Sequence, residues 1–155
     1  MAIHIRDAEP DDLEAVLGHM RALAEHEGMS VYFALTAEAL RACCMGSAKR
    51  FHVLVAVSEG AVVGYATYMF QFSPWAGREY LFLDDLYVSP EARGAGIGAR
   101  LMQRVAQVAL ERDVDARWHV EMDNRAAQKF YRTLGAELRE KRIAYWLREV
   151  MRTQA

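Results

Sequence analysis

A strand, a glycine-rich turn and a helix follow one another within residues 82–101. The strand carries two adjacent carboxylates, Asp84 and Asp85, and the turn at 93–98 reads Arg-Gly-Ala-Gly-Ile-Gly. The free N–H groups of such a turn and the positive end of the helix dipole favour a phosphate group. We therefore predict an anion-binding turn beside an acidic strand. This arrangement indicates that one ligand carries phosphates and that another carries a positive charge.

The size and charge of the chain indicate one soluble domain. With 155 residues, of which 53% are hydrophobic and 26% charged, the chain is long enough to bury a core, and we expect a single domain over residues 1–155. A formal net charge of −2 provides no basic field for nucleic acid. No apolar run approaches the length of a membrane span or a signal peptide, so we expect a cytoplasmic protein without a membrane partner. The adjacent Cys43 and Cys44 are expected to be reduced thiols with no catalytic role.

The hydrophobic pattern predicts the order of helices and strands. It indicates an α/β fold with a mixed sheet and helices on both faces, in which a hairpin and a third strand form a meander. The expected strands cover residues 2–6, 51–57, 61–70, 79–88, 117–122, 136–139 and 142–147. The expected helices run from Asp11 or Asp12 to Gly28, over 37–45 after a Thr36 cap, and over 94–112 and 124–134.

Three interpretations of the glycine-rich turn compete. The glycines could serve only a strand-to-helix corner, but three at alternate positions exceed that need. Residues 94–99 also satisfy the relaxed G-x-G-x-x-A dinucleotide pattern, with Glu121 near the expected ribose-binding position. However, residues 89–93 separate this turn from its strand, and the chain that follows is too short for two mononucleotide-binding halves. The third interpretation is a pyrophosphate cradle of another design, in which Arg93 adds a positive group.

The run Arg93-Gly94-Ala95-Gly96-Ile97-Gly98 resembles the central motif of the GNAT superfamily of acetyl-CoA-dependent N-acetyltransferases, Gln/Arg-x-x-Gly-x-Gly/Ala after a strand. The resemblance implies a GNAT-like acyl-CoA N-acyltransferase fold, with a central mixed, mostly antiparallel sheet flanked by helices. It also implies acetyl-CoA as cosubstrate and no metal. The residues that it assigns to the cosubstrate are Leu86, Tyr87, Val88, Arg93, Gly94, Ala95, Gly96, Ile97, Gly98, Asn124 and Tyr131.

A second motif begins at Asn124 and ends at Tyr131, and Leu-Gly-Ala follows at 134–136. By itself this segment reads as an ordinary amphipathic helix with Asn124 as its cap. Its position after the first motif resembles the next motif of the same family, whose Asn and helix contact the pantetheine arm or the substrate. The resemblance makes Tyr131 the candidate general acid that protonates the leaving thiolate, since an unperturbed tyrosine stays protonated at neutral pH.

The similarity is sharper towards the diamine (spermidine/spermine-type) and thialysine acetyltransferases. Residues 70–78 resemble the aromatic-rich loop of that branch, residues 83–88 resemble its acidic strand, and Glu27 matches an acidic position after the first helix. This implies a small cationic amine as acceptor and a homodimer. The branch usually has Glu where this chain has Asp84, which leaves the particular amine open. The residues assigned to the acceptor are Glu27, Trp75, Asp84 and Asp85.

The expected reaction is direct transfer of acetyl from acetyl-CoA to an amine in a ternary complex. Asp84 is the candidate base, with Glu27 and Asp85 as possible helpers. Because neighbours on a strand face opposite sides, we expect only one of Asp84 and Asp85 to enter a given pocket. Trp75 either lines the amine channel or packs under a loop. Two alternatives remain, an N-acetyltransferase for protein or peptide amines and a non-catalytic acyl-CoA-binding regulatory module.

Overall fold

The structure, a computed structural model, describes residues 2–154, and the chain falls into two compact units. The first unit ends at His119 and the second begins at Val120. No helix within residues 2–154 has the length and apolar character needed to cross a membrane.

The first unit is built on a five-stranded sheet in the order β1-β2-β3-β4-β5. Neighbouring strands are antiparallel from β1 to β4, and β5 runs parallel to β4. The mixed, mostly antiparallel sheet predicted from the sequence is thus confirmed. The strands are β1 (Ile3–Asp7), β2 (His52–Ser58), β3 (Ala61–Ser73), β4 (Arg78–Val88) and β5 (Ala116–Trp118).

Three helices of this unit pack against the sheet: α1 (Leu13–His26), α2 (Ala37–Cys44) and α3 (Ile97–Glu111). The apolar stripe of α1 includes Val16 and Met20, and it joins one buried cluster with Leu40 of α2 and Tyr65 of β3. Alternate residues of the strands face the other side, where the buried Leu101 lies on α3. The predicted Thr36 cap of α2 is confirmed, because its hydroxyl accepts a 3.2 Å hydrogen bond from Ala39 N–H.

The second unit contains two helices, α4 (Arg125–Thr133) and α5 (Arg148–Gln154). The two strands predicted over 136–139 and 142–147 are wrong, since no strand is present there and α5 follows directly. Alternating side chains make a segment suitable for pairing, but a strand also needs a neighbour that satisfies its backbone groups. The strand predicted over 117–122 is likewise shorter than expected and ends at Trp118.

Candidate active site

Asp84 and Asp85 line the same cleft, although they are neighbours on one strand. The reason is a β-bulge in the β3–β4 ladder, where Thr67 pairs with Asp85 and Tyr68 pairs with Leu83. Asp84 has no partner in this register, and a bulge of this kind re-aims the side chains around it. The prediction that only one of these carboxylates enters a given pocket is therefore wrong. Alternation holds only in a regular strand, and the sequence shows no sign of the extra residue.

The cleft has a volume of about 370 Å³ and lies between the end of α1, the segment that follows it, and strands β3 and β4. Three carboxylates line it, because Glu27 joins Asp84 and Asp85. Its other walls are mostly apolar, and they include Met20, Leu23, Met29, Phe33, Phe51 and Met69. An acidic region inside apolar walls is complementary to a cation on a methylene stem.

Asp85 is the most buried of these carboxylates, and it is tied to β3. The Thr67 hydroxyl donates a 3.1 Å hydrogen bond to Asp85 Oδ2 and accepts another of 3.1 Å from Asp85 N–H. Burial, the nearby charge of Asp84 and that of Glu27 together outweigh this hydrogen bond and raise the pKa of Asp85 to about 6. Asp84 and Glu27 are exposed at the mouth of the cleft. Asp85 is therefore the carboxylate suited to gain and lose a proton near neutral pH.

Two cleft residues on β3, Tyr65 and Thr67, were not predicted from the sequence. Both are buried, and both line the cleft together with Asp85. They lie two residues apart on β3, so they share one face of the sheet. Their sequence context shows only an apolar strand, and their role becomes visible once the register places them opposite Tyr87 and Asp85.

Trp75 is not among the residues that line the cleft. It lies at the turn between β3 and β4, where its side chain is fully exposed. Neither alternative from the sequence describes this position, because an exposed indole neither lines this cleft nor packs beneath a loop.

The glycine-rich turn leads into α3 as predicted. Gly94 and Gly96 have φ angles of 83° and 73°, and Gly96 is the N-cap of α3 without a side-chain cap. A Cβ atom on either glycine would enter open space with no atom within 4 Å. The first N–H groups of a helix have no partner inside it, so Ile97 and Gly98 at the start of α3 offer free backbone donors beside the turn. An open, donor-lined turn fits a pyrophosphate group.

Arg93 is oriented by the strand that precedes the turn. Its Nε donates a 3.0 Å hydrogen bond to the Val88 carbonyl oxygen, and its guanidinium lies 5.9 Å from the centre of the Tyr87 ring. The side chain is exposed, so its terminal nitrogens lie on the surface beside the glycines. Arg93 thus supplies positive charge and also fixes the end of β4.

The last residues of β4 have a free edge. The parallel ladder with β5 covers only Leu81–Leu83, so within the first unit no strand pairs with residues 84–88 on the side away from β3. Backbone groups of β4 on that side have no strand partner in the first unit, although the Val88 carbonyl already accepts the hydrogen bond from Arg93 Nε, and such an edge can bind an extended group along the strand.

Asn124 and Tyr131 belong to the second unit. Asn124 caps α4, and its Oδ1 accepts a 3.0 Å hydrogen bond from Ala127 N–H. Tyr131 is buried and its ring lies 5.3 Å from that of Phe130. Burial raises the pKa of the Tyr131 phenol, so this side chain stays protonated at neutral pH. Over the described residues 2–154, no three His, Cys, Asp or Glu side chains are grouped so as to hold a metal ion.

Comparisons with known proteins identify the family of this chain. Residues 14–136 match the model of the acetyltransferase (GNAT) family. The thialysine N-epsilon-acetyltransferase of Bos taurus is 38% identical over 144 residues, which cover 87% of this chain and 84% of that protein. The spermidine/spermine N(1)-acetyltransferase-like protein 1 of Homo sapiens is 32% identical over 140 residues, which cover 85% of this chain and 20% of that protein.

The fold also matches solved structures. An integron cassette protein from the mobile metagenome of V. cholerae superimposes with a TM-score of 0.79 at 26% identity, over 99% of this chain and 98% of that one. Both the match over residues 14–136 and the similarity to the curated relatives extend over most of the chain. The protein is therefore an N-acetyltransferase that belongs to the acetyltransferase (GNAT) family.

Proposed function

We propose that this enzyme transfers an acetyl group from acetyl-CoA to the primary amine of a small cationic acceptor, such as a diamine, a polyamine or a lysine analogue. The observation that carries this proposal is the cleft lined by Glu27, Asp84 and Asp85 within apolar walls. Three negative groups attract a cationic amine and disfavour a neutral or anionic one. The names of the thialysine and spermidine/spermine relatives support the same class of acceptor.

The glycine-rich turn is proposed to hold the pyrophosphate of acetyl-CoA. Its support is the open space over Gly94 and Gly96, the free N–H groups at the start of α3 and the adjacent Arg93. The free edge of β4 at Leu86, Tyr87 and Val88 is proposed to bind the pantetheine arm, and Asn124 is proposed as a further contact of the cosubstrate. Acetyl-CoA supplies the thioester that makes the acetyl group reactive.

Asp85 is proposed to take the proton that the acceptor ammonium must lose before its nitrogen can attack. The sequence favoured Asp84 for this role, but the pKa of about 6 at Asp85 matches the property of a base at neutral pH. Asp84, at the mouth of the cleft, is proposed to hold the charged acceptor together with Glu27. Trp75 lies outside the cleft and is not part of the proposed acceptor site.

Tyr131 is proposed to donate the proton to the sulfur that leaves when the amine attacks the thioester carbon. Its support is the burial that raises its pKa and thereby keeps a hydroxyl proton available. With Asp85 accepting a proton and Tyr131 supplying one, transfer proceeds directly in a ternary complex without a covalent enzyme intermediate.

The test is a thiol-release assay with acetyl-CoA and a panel of diamines, polyamines, lysine analogues and lysine-containing peptides. Fast release with small dications and slow release with peptides is the expected result. Faster turnover of peptides would favour a protein N-acetyltransferase. Binding of acetyl-CoA without amine-dependent release would indicate a regulatory acyl-CoA-binding module.

We also propose that the single domain over residues 1–155 forms a homodimer. The support is a run of exposed large apolar side chains near the C-terminus, with exposed fractions between 41% and 78%: Ile143, Tyr145, Trp146, Leu147, Val150 and Met151. Large apolar side chains that are exposed this close together in sequence are typical of an interaction surface. Light scattering behind size-exclusion chromatography tests the proposal, since a mass of 17.6 kDa at all concentrations would contradict it.

A further inference from the structure

The face of the sheet that forms the acceptor cleft continues beyond the cleft along the β3–β4 hairpin. Met69, which lines the cleft, pairs with Phe82, and Gln71 pairs with Tyr80 at the next position on the same face. All four side chains are half-buried, and the Tyr80 hydroxyl donates a 2.5 Å hydrogen bond to Gln71 Oε1. We call these four residues the hairpin strip. An elongated acceptor that leaves the cleft along β3 would lie on this strip.

A guanidinium group lies over the hairpin strip. Arg117 of β5 pairs with Phe82, and its guanidinium lies 4.1 Å from the centre of the Tyr80 ring. The side chain is exposed, and among the described residues it forms no ion pair with a carboxylate. A guanidinium that stacks on an aromatic ring uses its flat face for this contact. The N–H groups in its plane therefore stay available to bind a carboxylate in a bidentate manner.

The cleft and Arg117 carry opposite charges. The residues within 2–154 that line the cleft include the three carboxylates Glu27, Asp84 and Asp85, but no Arg, Lys or His. A carboxylate on the acceptor would lie unpaired among like charges in this cleft, which is unfavourable. If the acceptor carries both an amine and a carboxylate, the amine therefore belongs in the cleft and the carboxylate belongs outside it, at Arg117.

The distance along the strand suits one class of acceptor. Arg117 lies level with Met69, because both residues pair with Phe82. Met69 is two residues, or about 7 Å, along β3 from Thr67, the partner of Asp85. The stem between the side-chain amine and the carboxylate of a lysine analogue has a comparable length. We propose that Arg117 binds the carboxylate of an amino-acid acceptor whose side-chain amine lies at Asp85, so that the site selects lysine analogues over diamines.

This inference rests on the proposed acetyl transfer to small cationic amines, and it names the members of that class that the site prefers. The experiment compares a lysine analogue with the diamine that lacks only its carboxylate. The wild type should have the higher kcat/KM for the lysine analogue. Arg117→Met keeps an apolar stem over Tyr80 but removes the charge, and it should lower this selectivity ratio by about fivefold.

The change in the ratio should come mostly from a higher KM for the lysine analogue, at an unchanged KM for acetyl-CoA. The kcat/KM for the diamine should stay the same or rise in Arg117→Met, since a cation that repels the diamine is gone. Arg117→Lys should recover only part of the ratio, because an ammonium group cannot form the bidentate contact. A purely structural role of Arg117 would instead lower kcat/KM for both acceptors alike.

Arg112→Met is the matched control. The Arg112 guanidinium also stacks on an aromatic ring, 4.0 Å from the centre of Phe70, but it is paired with Glu79 at 3.4 Å. Phe70 follows Met69 on β3, so it lies on the other face of the sheet. Arg112→Met should therefore keep the wild-type ratio.

Arg21→Met is a second control, because Arg21 of α1 lies 5.8 Å from the ring of Phe33, a residue that lines the cleft. A fall of the ratio in Arg21→Met but not in Arg117→Met would place the carboxylate at α1 and overturn the inference. A wild type without a preference for the lysine analogue, or an equal fall in Arg112→Met, would also overturn it while acetyl transfer to amines stands. Absence of amine-dependent thiol release with both acceptors would overturn the proposed function itself.

Discussion

The Thr67 hydroxyl and the Asp85 carboxylate face each other across β3 and β4 at 3.1 Å. This hydrogen bond stabilises the ionised form of Asp85, whereas burial and the charges of Asp84 and Glu27 disfavour it. The pKa of about 6 is the balance of these opposing effects. Each of these effects can be changed by one substitution, so the resulting shift in the pKa of the proposed base can be measured directly.

Substitutions at Thr67 and at Asp84 should shift the pH dependence of kcat/KM in opposite directions. If Asp85 must be ionised to accept a proton, activity rises with pH through about 6 in the wild type. Thr67→Val removes a stabilising hydrogen bond and moves this acid limb to higher pH. Asp84→Asn removes a like charge and moves it to lower pH, whatever it does to the absolute rate. Asp85→Asn should abolish the limb, and a limb that survives unchanged would assign the base to another group.

Asp85 should also destabilise the folded protein at neutral pH. Its pKa is raised on folding, so the native state binds the proton more tightly, and stability falls as pH rises from about 4 towards 6 and above. Asp85→Asn removes this cost and should raise the free energy of unfolding at pH 8 by at most about 3 kcal/mol. Urea denaturation at pH 4 and pH 8 measures the difference, which should be largest at the higher pH. An equal effect at both pH values would contradict this account.

Asp12 should show the reverse dependence. Arg6 donates hydrogen bonds of 2.6 and 3.0 Å to its two carboxylate oxygens, and Glu9 N–H donates one of 2.7 Å. The hydrogen bond from Arg6 is the main reason that the pKa of Asp12 is lowered. Its contribution to stability is therefore present above the ordinary range of an aspartate and is lost as pH falls through the lowered pKa. Asp12→Asn should cost about 1–2 kcal/mol at pH 7 in urea denaturation, since Arg6 is partly exposed, and much less at acid pH.

Gly96→Val tests the pyrophosphate cradle. The side chain would fill the open space above the turn and would strain a residue with a φ of 73°. Calorimetry should detect no binding of acetyl-CoA. Gly60→Val is the control, because Gly60 has a φ of 82° and equally open surroundings in the turn between β2 and β3. It carries the same strain but should bind acetyl-CoA normally, and retained affinity in Gly96→Val would refute the cradle.

Tyr131→Phe tests the proton donor. Loss of the hydroxyl should lower kcat by about 100-fold, the usual contribution of a general acid, with little change in acetyl-CoA affinity. Phe130→Leu, which changes the neighbouring ring but leaves the hydroxyl, serves as the control for altered packing of α4. A kcat of Tyr131→Phe close to that of the wild type would remove Tyr131 from the chemistry.

The sequence predicted the parts of this protein that depend on local chemistry. The Thr36 cap, the apolar stripe of α1 and the glycines before α3 follow from backbone geometry and helical periodicity, and they are confirmed. The bulge at Asp84 was not predictable, because it depends on which residues of β3 lie opposite. Tyr65 was missed for the same reason, since its place in the cleft follows from register and not from its neighbours. The prediction of strands after residue 135 was wrong, because an alternating pattern of side chains does not by itself provide a neighbouring strand.

Because β4 contains one extra residue, the charge of the acceptor site depends on the number of residues in this strand as well as on their side chains. In a regular strand, a second acidic neighbour would point away from the cleft and add nothing to it. Deleting Asp84 would restore regular pairing from Leu83 to Asp85 and leave one carboxylate of the two beside the acceptor. Losing that one residue would therefore reduce the carboxylates that line the cleft from three to two, Glu27 and Asp85, a route by which acceptor preference can diverge without rebuilding the fold.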